Sequence, residues 1–194
     1  MNLFFKILIL FFMAITICPN TYAKDYDEIR NQAKVLYLGN HKTEAQQRIL
    51  TIPEADRTAS DYFLIGNTTT ELKAAIKAYE NAIKADENFY QAYYNIGCRY
   101  ADIQNYNKAI FYFRETIKIE KDFSAGHYNL GYSYLKTGQY NLARKSLEDA
   151  IKLNPEEPDY YYNLAYIYKK LNNTKRAEKA LKLYNTLIEK RNAN

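Results

Sequence analysis

The feature that most constrains this chain is a self-similarity with a period of 34 residues. Its clearest copy is residues 124–157, SAGHYNLGYSYLKTGQYNLARKSLEDAIKLNPEE. One period onward, His127 aligns with Tyr161, Leu130 with Leu164, Tyr134 with Tyr168, Ala143 with Ala177 and Leu147 with Leu181. One period back, the same positions hold Tyr93, Ile96, Tyr100, Ala109 and Phe113. A unit this short cannot bury an apolar face alone, so neighbouring units must stack and share a core. Gly97, Gly131 and Ala165 are small, as are Ala109, Ala143 and Ala177, which lets two helices of a unit approach closely. The larger Ile96, Leu130, Leu164, Phe113, Leu147 and Leu181 fill the space alongside. Burying each contributes roughly 1.5–3 kcal/mol before entropy is subtracted.

The order aromatic, x2, Leu-Gly, x2, Tyr, then Ala, x3, large apolar, then Pro resembles the tetratricopeptide repeat (TPR) family. That resemblance implies an all-α TPR superhelix, an α-solenoid of antiparallel helix pairs. About five repeats are expected, the first two degenerate: 26–55, 56–89, 90–123, 124–157 and 158–191. In the first, Ile29, Ala33, Leu36, Ala45, Ile49 and Ile52 fit two short amphipathic helices around a Gly39-Asn40 turn, closed by Pro53. In the second, Ala75, Tyr79 and Ala82 keep register, but Gly66 lies three residues too near Ala75. A shortened helix ending in Asn67-Thr68-Thr69-Thr70 is expected. Asn107 and Asn141 are expected to cap second helices, and Pro158 to open a first one.

The two ends differ from the repeats. Lys6 is followed by apolar residues 7–18, and Thr21-Tyr22-Ala23 supplies small residues near a cleavage position, the form of a secretory signal peptide over residues 1–23. The apolar run is shorter than the roughly 20 residues of a bilayer span. Export to the periplasm or outside the cell is expected, with no membrane insertion after cleavage; an uncleaved anchor is the alternative. Cleavage leaves Cys98 as the single cysteine, without an intramolecular disulfide partner. At the other end, Tyr184 stands where earlier repeats carry Thr116 and Ala150. It would obstruct a further repeat, so the array is expected to end there. Leu183 is expected to fold back as part of a cap, or, with Tyr184 and Leu187, to form a patch for homo-oligomers.

No catalytic, cofactor or metal constellation is present in the sequence. His41 and His127 lie far apart, and His127 occupies an aromatic packing position. No Gly-rich phosphate loop, Ser nucleophile elbow or His-Glu zinc helix occurs. A net charge of +5 with interspersed signs does not suit nucleic acid. The reading is therefore non-enzymatic, with a protein or peptide partner. The resemblance implies that first helices line the concave face, giving Tyr94, Asn95, Cys98, Ala101 and Asp102 from one repeat. The next supplies Tyr128, Asn129, Tyr132, Leu135 and Lys136, and the last Tyr162, Asn163, Tyr166, Lys169 and Lys170. Tyr-Asn before Leu-Gly partly reflects repeat identity, whereas Cys98, Tyr132 and Tyr166 stand where the family often has Asn. Tyr gives a large amphipathic contact with few rotors to freeze, and Asn amides suit an extended backbone. The family's carboxylate clamp is not expected, because Tyr94 and Cys98 replace its Lys and Asn. Cys98 is expected to be half-buried and inert. Glycan stacking on the Tyr rings and homo-oligomeric scaffolding are the alternatives to a peptide or protein of the cell envelope.

Overall fold

A computed structural model describes residues 19–193, with side chains from Tyr26 onward. The apolar run at residues 7–18 lies outside the described residues. Ten helices follow one another without strands among the described residues: α1 (Pro19–Leu38), α2 (Lys42–Leu50), α3 (Ala59–Thr68), α4 (Leu72–Ala85), α5 (Tyr90–Asp102), α6 (Tyr106–Ile119), α7 (Ser124–Lys136), α8 (Tyr140–Leu153), α9 (Pro158–Lys170) and α10 (Thr174–Asn192). They form five antiparallel pairs, and each pair packs on the next. The fold is thus the all-α superhelix expected. No described helix is long and apolar enough to cross a membrane. Helix α1 runs through Ala23, the position at which cleavage was expected.

The small positions act as their spacing requires. A Cβ on Gly97 would sit 2.6 Å from the Phe113 ring, one on Gly131 would sit 2.5 Å from Leu147 Cδ1, and one on Gly66 would overlap the Tyr79 ring. Ala75, Ala109 and Ala143 are buried in the second helices of the same pairs, as Ala177 is in the last pair, where Ala165 takes the glycine's place. Gly66 is therefore the counterpart of Gly97 and Gly131 in the second pair. Helix α3 reaches only Thr68, and its missing turn accounts for the three-residue offset. One core cluster joins the last three pairs through Phe113, Leu130, Leu147, Leu164 and Tyr168. A second centres on Tyr79 and Ile96, and a third on Ala33, Ile49 and Ile52.

The expected caps are corrected by two residues. Asn105, not Asn107, caps α6, accepting a bond from Lys108 N at 3.3 Å. Helix α8 starts after Gln139 without a side-chain cap, and Asn141 lies in its first turn. The reason is a left-handed residue in each turn: Gln104 (φ 59°), Gly138 (φ 75°) and Asn172 (φ 55°). These residues reverse the chain quickly enough for the second helix to begin two residues sooner. Only Gly138 adopts this conformation without a steric cost. Pro158 opens α9 as expected, behind a Glu157 cap.

The degenerate first two pairs are joined by contacts that the repeat pattern does not contain. Arg30 Nε lies 3.2 and 3.1 Å from the two carboxylate oxygens of Asp61, which is 2% exposed. The same carboxylate closes a capping box with Thr58 at the start of α3. Arg30 also donates to Asp56 O, and Gln46 donates to Thr69 Oγ1 at 2.9 Å.

Candidate functional site

First helices of successive pairs touch one another, α5 with α7 and α7 with α9. Elements on the inside of a curved stack approach most closely, so these helices form its concave face. The Tyr and Asn side chains that recur one position apart face along this surface. Each pair is tied to the one before it. Asn129 donates to the Tyr94 hydroxyl at 2.8 Å, and Asn163 donates to the Tyr128 hydroxyl at 3.0 Å. Helix α3 has Phe63 where Tyr would continue the series. Asn95 turns instead to Asn67 Oδ1 at 2.8 Å and the Tyr79 hydroxyl at 3.4 Å.

This ladder changes the role read for the Asn residues. Their amides were expected to be available to an extended backbone, yet each spends a donor on a neighbouring repeat. Asn163 donates to Asp159 O as well, at 3.0 Å. Tyr94 and Tyr128 are correspondingly half-buried. Burial raises both phenols above their ordinary values, Tyr128 to about 12, with the nearby Asp159 charge adding to the effect. At the last step Tyr162 is 54% exposed, and its ring lies 5.4 Å from that of Tyr184.

Two recesses open beside the ladder. The larger, about 810 Å³, lies between α7 and α9 and is walled by Tyr128, Tyr132, Leu135, Tyr162 and Tyr166, with Lys136 and Asp159 at its edge. Tyr132 rests edge-on to Tyr106 at 6.4 Å, and the Lys136 ammonium stands 5.1 Å over the Tyr132 ring. The arrangement recurs one repeat on, with Lys170 5.3 Å over Tyr166. Tyr132 raises the pKa of Lys136 through a hydrogen bond and its own charge. Lys169 and Lys170 are both exposed, and neither walls the recess.

The smaller recess, about 260 Å³, is bounded by Tyr37, Asn67, Tyr79, Asn95, Cys98, Arg99 and Asp102. It is polar where the other is aromatic. Burial pushes the Cys98 thiol up to about 11, only partly offset by its hydrogen bond from Tyr94. A thiol held protonated is a poor nucleophile. Tyr94, Asn95 and Cys98 thus belong to this end of the face, while Tyr128, Asn163, Tyr132, Tyr162 and Tyr166 gather at the other.

Sequence reasoning missed Asn67, Tyr79 and Arg99 because they lie in, or pair with, the irregular second repeat. It also missed the Tyr-over-Lys stacking, whose trace is Tyr-x3-Lys recurring at 132/136 and 166/170. At the C-terminal end, Leu183 is 42% exposed and lines a separate groove of about 430 Å³ with Ile151, Tyr161 and Tyr168. Leu187 borders Glu156 and Lys190 instead.

Comparison with known proteins follows the same lines. A TPR repeat model matches residues 131–172, and a tetratricopeptide repeat model matches 90–123 and 158–190. No curated protein matches in sequence. Among solved structures, a MamA RS-1 double mutant superposes with a TM-score of 0.77 at 17% identity, covering 87% of this chain and 97% of the other. A crystal structure of MamA gives 0.76 at 19%, covering 84% and 97%. MamA 41-end from Desulfovibrio magneticus RS-1 gives 0.75 at 18%, covering 84% and 95%. At these identities the likeness is one of fold.

Proposed function

The chain belongs to the tetratricopeptide repeat family, and from that premise we propose that it is an exported, non-enzymatic adaptor whose concave face captures an extended segment of a cell-envelope protein. Family and architecture support a protein-interaction scaffold in general terms. The observation that carries the narrower reading is the recess between α7 and α9, walled by Tyr128, Tyr132, Tyr162 and Tyr166. Tyr rings offer broad contact at little rotamer cost, and a concave aromatic surface is the ordinary form of a binding site. The export part rests on residues 1–23 alone.

Tyr132→Ala and Tyr166→Ala test the reading. Both rings border the recess, and neither is needed for the ladder between repeats. The variants keep wild-type helicity and lose envelope partners in affinity capture. Unchanged capture by both variants would place the binding surface elsewhere. Self-association through the C-terminal pair is a second reading, favoured by the exposed Leu183 groove. A monomeric sedimentation profile at high concentration removes it.

A further inference from the structure

We infer that the recess between α7 and α9, with the surface beside it over Tyr166, selects an acidic peptide segment, recognised through side-chain carboxylates by Lys136 in the recess wall and Lys170 outside it. This rests on the reading of the recess as a peptide site. The observation is a contrast between two pairs of lysines, each recurring at the 34-residue period. On the second helices, Lys118 and Lys152 are neutralised within their own repeats, by Glu115 at 3.0 Å and Asp149 at 2.7 Å. On the first helices, Lys136 and Lys170 lie over Tyr132 and Tyr166 instead, and no carboxylate lies within ion-pair distance among the described residues. The rings hold two ammonium groups one repeat apart without cancelling their charge.

The rest of the recess agrees in sign. Its acidic residue, Asp159, sits in the first turn of α9, where the helix dipole offsets part of a negative charge. Lys169 adds a further positive charge nearby. One repeat toward the N-terminus the same two positions become Cys98 and Asp102, so the positive field stops at α7. An extended ligand therefore places its acidic residues over α7 and α9 and its neutral residues toward Asp102, which shares its recess with Arg99.

The test uses capped peptides of equal length and equal aromatic content, their net charge stepped from negative to positive, with binding followed by fluorescence anisotropy. Capping both ends removes the terminal charges, leaving the side chains as the charges that vary. Affinity is expected to rise with negative charge and to weaken as salt shortens the screening length from about 30 Å at 0.01 M to about 8 Å at 0.15 M. The double variant Lys136→Glu with Lys170→Glu loses about tenfold for the acidic peptide and nothing for the neutral one, and the corresponding Arg variants restore binding. Equal binding of acidic and neutral peptides, both weakened by Tyr132→Ala, overturns the charge selection while leaving the peptide site standing. Failure of peptides of every charge overturns both. Binding of an oligogalacturonate of matched charge, without binding of the acidic peptides, also overturns it and turns the site toward acidic glycans.

Discussion

The first two helix pairs and the last three are built on one plan but held together differently. In α5–α10 the joints repeat: Asn129 to Tyr94, Asn163 to Tyr128, and an apolar cluster running from Phe113 to Tyr168. In α1–α4 that pattern has worn away, and individual polar ties stand in its place. Arg30 to Asp61 and Gln46 to Thr69 join the first pair to the second, and Asn67 to Asn95 joins the second to the third. A regular repeat can lose one contact and keep its neighbours' copies. A worn repeat relies on contacts that occur once. Stability in such stacks is close to a sum of unit and interface terms, so the two regions should respond unequally to comparable changes.

Asp61→Ala is the largest expected break. It strands the Arg30 guanidinium, opens the capping box and costs about 3 kcal/mol, near the lower end for breaking a buried ion pair because Arg30 keeps some water. Hydrogen exchange should rise across α1–α3 while α7–α10 stay protected; uniform loss of protection would make the two regions one cooperative unit. Next come the paired changes Gly66→Ala and Gly131→Ala. Both push a methyl into a close helix contact, but Gly66 faces the rigid Tyr79 ring and Gly131 chiefly the terminal methyl of Leu147, with Ala143 O at 3.2 Å. Denaturant unfolding should show about 2 kcal/mol lost at Gly66. The loss at Gly131 should be about 1 kcal/mol or less, since Leu147 can turn aside and Ala favours the helix by about 1 kcal/mol. Equal costs would mean that Tyr79 yields as easily as Leu147.

The smallest effect lies at the boundary between the regions. Cys98 has a raised pKa, so its protonated form is the one the fold favours. That contribution is whole below the ordinary thiol value of 9.0 and fades as pH climbs toward about 11. Alkylation of the native protein should be slow at neutral pH and rise with a midpoint near 11. A midpoint near 9 would place the thiol in water.

Much of the architecture was legible because stacking imposes the same packing problem every 34 residues. Gly97 with Phe113, Gly131 with Leu147 and the shortened α3 could each be read from residue size and spacing. The caps were displaced because a left-handed Gln104, Gly138 or Asn172 leaves little mark in composition when Gln and Asn occupy the position. The concave residues were located by register, but their roles were not. Asn129 and Asn163 look like ligand contacts in one dimension and are ties between repeats in three.

What the sequence determined by itself was the set of recurring positions: where the chain is small, where it is large, and therefore how helices pair and stack. Those choices follow from side-chain volume, which each residue carries wherever it lies. Tertiary structure alone decided which polar groups are spent and which are left. Asn163 meets Tyr128 across 35 residues, Arg30 meets Asp61 across 31, and Lys152 finds Asp149 while Lys136 finds a ring. A hydrogen bond or an uncancelled charge depends on distance and direction, and those exist only once the repeats have packed.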